Sequence, residues 1–436
     1  MKYIKIVFVI WMSLILMYAQ DESNTTKAIK LTQEAKKYFR QFMQDNNTTM
    51  LKKSYETVAK AYLYDKNNQQ IQSTYYIIGL VDLSVFKEQK VLEDLKKLFP
   101  IAYKMNLNPA PPSYLDMICL SNQADTKQKI KLLKKAIQEN RKFSESYIML
   151  ASFYAEIQQY DLAIDILNRG LQNIQSDELR FHYLLAIVYQ EKSYFLDDKL
   201  ECAVVDKTLL KHIIQESKAV LRLKPDIDDM YYNLALAYER LGQPTLSIET
   251  MHQALKYNNT QENQRKYEEF LLQNGAKDEF FKRIKNGKGS GDLQQLANGY
   301  FYSQDWENVI RVLKKHISQD NTKHFYTYLK YAVAVSKIKG NQAGKKILQN
   351  LPTDIQSNPW INLLTKYYLD QVDDKELLAQ ADNACKKTEA YFWIGVRQIG
   401  YDNQKAKQNF QNVLKEKVYS YVEYAISNYY LKEGIK

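Results

Sequence analysis

Tyr147-Ile148-Met149-Leu150-Ala151-Ser152-Phe153-Tyr154 places Tyr147, Leu150, Ala151 and Tyr154 at i, i+3, i+4 and i+7. That spacing lines one face of a helix, not the alternating face of a strand. The frame returns at His182-x2-Leu185-Ala186-x2-Tyr189, Tyr231-x2-Leu234-Ala235-x2-Tyr238, Leu293-x2-Leu296-Ala297-x2-Tyr300 and Tyr328-x2-Tyr331-Ala332-x2-Val335. Looser copies stand at Trp360-x2-Leu363-Leu364-x2-Tyr367 and Tyr391-x2-Ile394-Gly395-x2-Gln398. A second helix, marked by Ala163, Leu167 and Gly170, follows a short polar connection over Glu156–Asp161. Small residues at the contact let two antiparallel helices approach closely. One such hairpin cannot bury its apolar stripe alone, so the repetition predicts stacking.

The central small residues recur at 35 residues from Ala151 to Ala186 and from Ala297 to Ala332, then at 32 to Leu364 and 31 to Gly395. Ala186 to Ala235 is 49 residues, which predicts an insertion near 193–207. Ala235 to Ala297 is 62, two units, with a degenerate hairpin across Gln261–Lys285. Aromatic, Leu-Ala and Tyr in the first helix, with Pro closing the second as in Leu223-Lys224-Pro225-Asp226, resemble the tetratricopeptide repeat. The resemblance runs from about Thr26 to Lys436, most clearly over Phe143–Asn258 and Asp292–Lys417. It implies an all-α α-solenoid, a superhelix of about ten or eleven stacked hairpins with a C-terminal capping helix. Few breaks interrupt the pattern: 13 Gly and 8 Pro in 436 residues suit a helical chain.

The expected organisation is a signal peptide at 1–19, a short flexible segment at 20–26 and divergent hairpins over 27–142. A repeat array at 143–286 carries the insertion, a Gly-rich linker follows at 287–291, and a second array fills 292–418 before a capping helix at 419–436. Lys2 and Lys5 precede an apolar core from Ile6 to Met17, and Ala19 precedes a polar segment. A charged start and an apolar run too short to span a bilayer read as an export signal cleaved near Ala19, with an uncleaved anchor as the alternative. Export leads to a periplasmic, envelope or secreted location. Cys119, Cys202 and Cys385 are an odd number, read by default as small buried residues, with one long-range disulfide open to an oxidising compartment. Sequons at Asn24, Asn46, Asn47 and Asn258 are usable only where the host glycosylates exported chains.

A net charge of +11, falling to +9 without Lys2 and Lys5, favours anionic partners, and export disfavours nucleic acid. The run Lys127, Lys129, Lys131, Lys134 and Lys135 reads as a solvated helix face opposite Ile130, Leu133 and Ile137. Chemistry is hard to find. The five histidines make no metal-spaced pair, no nucleophile motif occurs, and Gly340–Lys346 reads as a repeat turn. No enzyme, metal or cofactor is expected.

Binding is expected on the inner face, which in the resembled family is lined by first helices. Carried over by register, the partner-binding residues begin with Arg180, Tyr183, Ile187, Tyr232 and Glu239, beside Glu145, Ile148, Ser152, Gln190 and Leu236. They continue with Gln294, Asn298, Tyr326, Leu329 and Val333, beside Phe301, and end with Phe392, Val396 and Ile399. The last group forms either an open apolar groove or a surface covered by the terminal helix around Tyr419–Leu431. Thr388–Phe392 with Ala406–Phe410 resembles units of bacterial periplasmic tetratricopeptide adaptors. The implied function is a non-catalytic scaffold holding an extended peptide or amphipathic helix of another protein. The alternative is a binding protein for an anionic glycan, such as an envelope component, or for a small ligand.

Overall fold

The structure, a computed structural model, describes residues 24–104, 108–120, 125–199, 206–319, 324–351 and 358–435. Among these there are 23 α-helices and no strand. The fold is an α-solenoid of helical hairpins. The export signal expected at 1–19 lies outside the described residues. Segment 20–26, expected to be loose, is already helical from Asn24.

The chain divides into two compact units, one ending at Phe181 and the other beginning at His182. The first contains α1 (Asn24–Asp45), α2 (Thr48–Tyr64), α3 (Gln69–Phe86), α4 (Gln89–Lys104), α5 (Pro112–Cys119), α6 (Thr126–Glu139), α7 (Ser144–Glu156) and α8 (Tyr160–Asn173). Asn47, Asn68 and Asp125 cap α2, α3 and α6 by accepting from the amide nitrogens two or three residues on. Pro112 opens α5, where a missing N–H costs nothing. The hairpin from the opening octapeptide forms as expected: Tyr147, Leu150, Ala151 and Tyr154 on α7 and Ala163, Leu167 and Gly170 on α8 are all buried. A Cβ built on Gly170 would lie 2.3 Å from the Phe181 ring, so that position must lack a side chain. Lys127, Lys131 and Lys134 are exposed while Leu133 and Ile137 are buried, the solvated face expected of α6.

Helix α9 (Glu178–Lys199) starts before the division and continues into the expected insertion, whose residues 200–205 lie outside the described set. The second unit goes on through α10 (Lys207–Leu223), α11 (Asp228–Arg240), α12 (Pro244–Tyr257), α13 (Gln261–Gln273) and α14 (Lys277–Lys285). Then follow α15 (Leu293–Tyr302), α16 (Trp306–Gln319), α17 (Phe325–Lys339), α18 (Asn341–Gln349), α19 (Pro359–Tyr368), α20 (Asp374–Ala379), α21 (Ala384–Gln398), α22 (Asn403–Glu416) and α23 (Val422–Glu433). Gly287–Gly291 is a turn between α14 and α15 and does not divide two cores. One apolar core runs across it from Tyr231 to Tyr430. The last helix is more than a cap on α22, because it also packs against α13, α15 and α21.

Candidate functional site

Inner-face residues fall into two groups with opposite fates. Along α9 and α11 the expected residues remain partly open: Tyr183, Ile187, Gln190, Tyr232 and Leu236 are half-buried. Tyr232 joins α11 to α13. Its ring meets Phe270 edge to face at 5.8 Å, and Lys266 Nζ lies 4.8 Å from its centroid. Burial, then Glu269 and Tyr194, push its hydroxyl up to about 12. Tyr194 stands 42% exposed and accepts from Gln190 Nε2 at 3.0 Å. The neighbouring cations are already paired: Arg265 Nη2 lies 2.9 Å from Glu262 Oε1, and Lys266 Nζ lies 3.8 Å from it.

Two members of the expected face are engaged within the protein. Arg180 Nη1 is 2.9 Å from both Glu145 and Asp177, held in an ion-pair network inside the first unit. Glu239 is 2% exposed, with Asn274 Nδ2 donating to it at 3.0 Å. Burial, opposed by that hydrogen bond and reinforced by nearby Glu269, raises its carboxyl to about 8.

The second group is closed: of the two alternatives, the open apolar groove is not found and these residues are covered. Phe301, Phe392, Val396 and Leu329 are 0% exposed, Val333 2% and Ile399 4%. The cause is curvature plus the terminal helix. The array turns tightly enough for α17 to meet α21: Tyr326 Oη donates to Glu389 at 2.6 Å, and Lys337 Nζ to the Ile399 carbonyl at 2.5 Å. Helix α23 adds Tyr430, whose ring packs on Phe410 at 5.3 Å and whose hydroxyl donates to the Phe301 carbonyl at 2.7 Å. Gln294 and Asn298 serve as bridges, accepting from Thr327 Oγ1 at 2.9 Å and from Lys330 Nζ at 2.7 Å.

The closed region holds a polar cluster that sequence reasoning missed. Glu389 accepts from Tyr326 and also from Trp360 Nε1 at 2.8 Å. Burial and the nearby Glu423 of α23 push its carboxyl up to about 7. Burial also raises Glu423, opposed by Lys330, whose own ammonium is lowered by burial. No local signal marks this cluster, since its members come from α17, α19, α21 and α23. Among the described residues no group of three metal-ligating side chains converges, and no helix is long and apolar enough to cross a membrane.

Residues 123–188 match the family model described as tetratricopeptide repeat, which covers α6–α8 and the start of α9. No curated protein matches the chain. Similar solved structures include YrrB, described as a tetratricopeptide-repeat protein with an unusual peptide-binding site, at 18% identity over 54% of this chain and 97% of that one, TM-score 0.30. The C-terminal part of a repeat-containing protein from Cytophaga hutchinsonii is 14% identical over 66% of this chain and 90% of its own, TM-score 0.31. A human IFIT1 dimer with m7Gppp-AAAA is 13% identical over 82% and 78%, TM-score 0.35.

Proposed function

We propose that this tetratricopeptide-repeat protein is a non-catalytic, exported scaffold that grips an extended segment of another protein along α9, α11 and α13. The observation that supports it is the half-open row around Tyr232. Aromatic and aliphatic side chains of α9 and α11 stand there beside the Gln190 amide, bordered by the polar side chains of α13, a surface suited to alternate side chains and backbone of a peptide. Pairing of Arg265 and Lys266 with Glu262 reduces the local pull on an anionic glycan. Export rests on the sequence pattern from Lys2 to Ala19, and Cys385, which is disulfide-bonded, accords with an oxidising compartment.

The test is site-specific photo-crosslinking in the native host, with the photoreactive residue at Tyr232 and, as a control, at exposed Lys131. A discrete protein adduct is expected from Tyr232 alone, on a chain whose mature N-terminus is at or near Gln20. Tyr232→Ala should weaken the interaction by about tenfold, in the range of an aromatic anchor. Moderate salt should change it little, because the contact is mainly apolar. A carbohydrate adduct, or steep loss with salt, would favour the glycan reading. An intact Met1 on a cytosolic protein would refute export.

A further inference from the structure

A second recess in the His182–Lys436 unit has a different chemistry. It measures about 430 Å³ and opens where α23 and the residue stretch before it return against the α11–α12 and α13–α14 turns. Glu239 borders it from α11, Asn274 and Asp278 from the α13–α14 side, and Tyr419, Tyr424 and Tyr429 from the returning C-terminal segment. The Tyr419 and Tyr424 rings form a corner, 5.0 Å apart and inclined at 69°. Gly242 makes room for it: its φ is +70°, and a Cβ there would stand 3.2 Å from the Tyr419 ring. The aromatic wall already accepts a cation, since Lys277 Nζ lies 4.7 Å from the Tyr429 centroid.

We propose that this recess binds an alkylammonium group, either the side chain of a lysine in a peptide or a free small amine. Tyrosine faces attract such a cation through the ring quadrupole, and a carboxylate at the floor neutralises it. An anion would instead face Asp278 and Glu433, while the nearby cations are already paired, Lys277 Nζ 3.4 Å from Asp278 and Lys432 Nζ 3.8 Å from Glu433.

Glu239 also supplies a signature. Groups from each neighbouring element act on it: Asn274 and Glu269 from the α13 side, Arg240 on its own helix, and Tyr232 and Tyr302, whose hydroxyls sense it. Arg240 donates to Ser193 Oγ at 2.5 Å. Burial holds the carboxyl protonated through neutral pH, up to about 8. An entering cation stabilises the ionised form, so binding at pH 7 expels the proton. None of the residues lining the recess belongs to the Tyr232 row, so its ligand affinity is a readout separate from peptide capture.

Calorimetric titration of the full chain tests this with choline, with its uncharged isostere 3,3-dimethylbutanol, and with a capped lysyl peptide with and without ε-trimethylation. The ammonium ligands should bind at least about tenfold more tightly than the alcohol, a difference of about 1.4 kcal/mol. Their heats at pH 7 should vary with the ionisation enthalpy of the buffer, reporting proton release that fades above pH 8. Glu239→Gln keeps the oxygen that Asn274 bonds, so it should fold normally while losing affinity about tenfold and all proton release. Tighter binding of the lysyl peptide than of choline assigns the source to a protein, and the reverse order to a small amine. Equal affinity for the alcohol, an undiminished Glu239→Gln, or no heat from any ammonium overturns the proposal.

Discussion

At the scale of single residues, the fold depends on where side chains are missing. Gly395 of α21 sits at the hairpin contact, and a Cβ there would lie 2.7 Å from the buried Phe410 ring of α22. Gly395→Ala gains about 1 kcal/mol of helix propensity. Forcing a methyl against a 0%-exposed ring costs about 1–3 kcal/mol, so the clash should win. Chemical denaturation should show a net loss in the wild-type background. The loss should disappear with Phe410→Leu, and an unchanged effect there would mean that the ring is not the obstacle. These positions were legible because small residues recur in a fixed frame, as Ala151, Ala186, Ala235, Ala297 and Ala332 do. The fate of Glu239 was not legible. It lies seven residues after Tyr232 in the same register, yet one is buried and the other half-open. The difference comes from Asn274 and the returning C-terminal segment, which no local pattern announces.

At the scale of elements, α23 turns a displayed face into an interior and brings Glu423 close to Glu389. Glu389 titrates near 4.5 in the unfolded chain and about 7 in the folded one. Below pH 4.5 both states hold the proton. Between 4.5 and 7 the unfolded chain releases it first, so stability falls as pH rises and levels off above 7. The loss is on the order of 3 kcal/mol at most, and Glu423 acts in the same direction. Glu389→Gln keeps an acceptor for Tyr326 and Trp360 while removing the charge. Its melting temperature should exceed that of the wild type at pH 7.5 and fall less between pH 5 and 7.5. Parallel curves for the two proteins would show that Glu389 does not drive the slope. The apolar stripe of α23 was legible from Val422, Ile426 and Tyr430. Its docking target was not, because that depends on curvature accumulated over α13 to α22, and a repeat frame fixes neighbours rather than ring closure.

At the scale of the whole molecule, the glycine-rich stretch and the compact units disagree about where the chain divides. The sequence suggests a linker at 287–291, but Gly287 and Gly291 serve a turn, with φ of +67° and +80°. The actual division falls at Phe181/His182, inside α9, where an unbroken helix hides it from composition. Across the glycine turn the contacts are dense. Phe280 meets Gly299, Tyr302 Oη donates to the Leu272 carbonyl, and Lys277 stands over Tyr429. A turn so bridged should tolerate being cut. With a protease site placed between Gly287 and Gly291, cleavage under native conditions should leave the two fragments co-eluting on gel filtration and unfolding in one transition. Fragments 1–286 and 292–436 expressed separately should each expose apolar surface, because Phe280, Phe301, Trp393 and Tyr430 belong to one core. Separation of the fragments after native cleavage, with each retaining its own cooperative transition, would restore the linker reading and detach α23 from the helices that precede the turn.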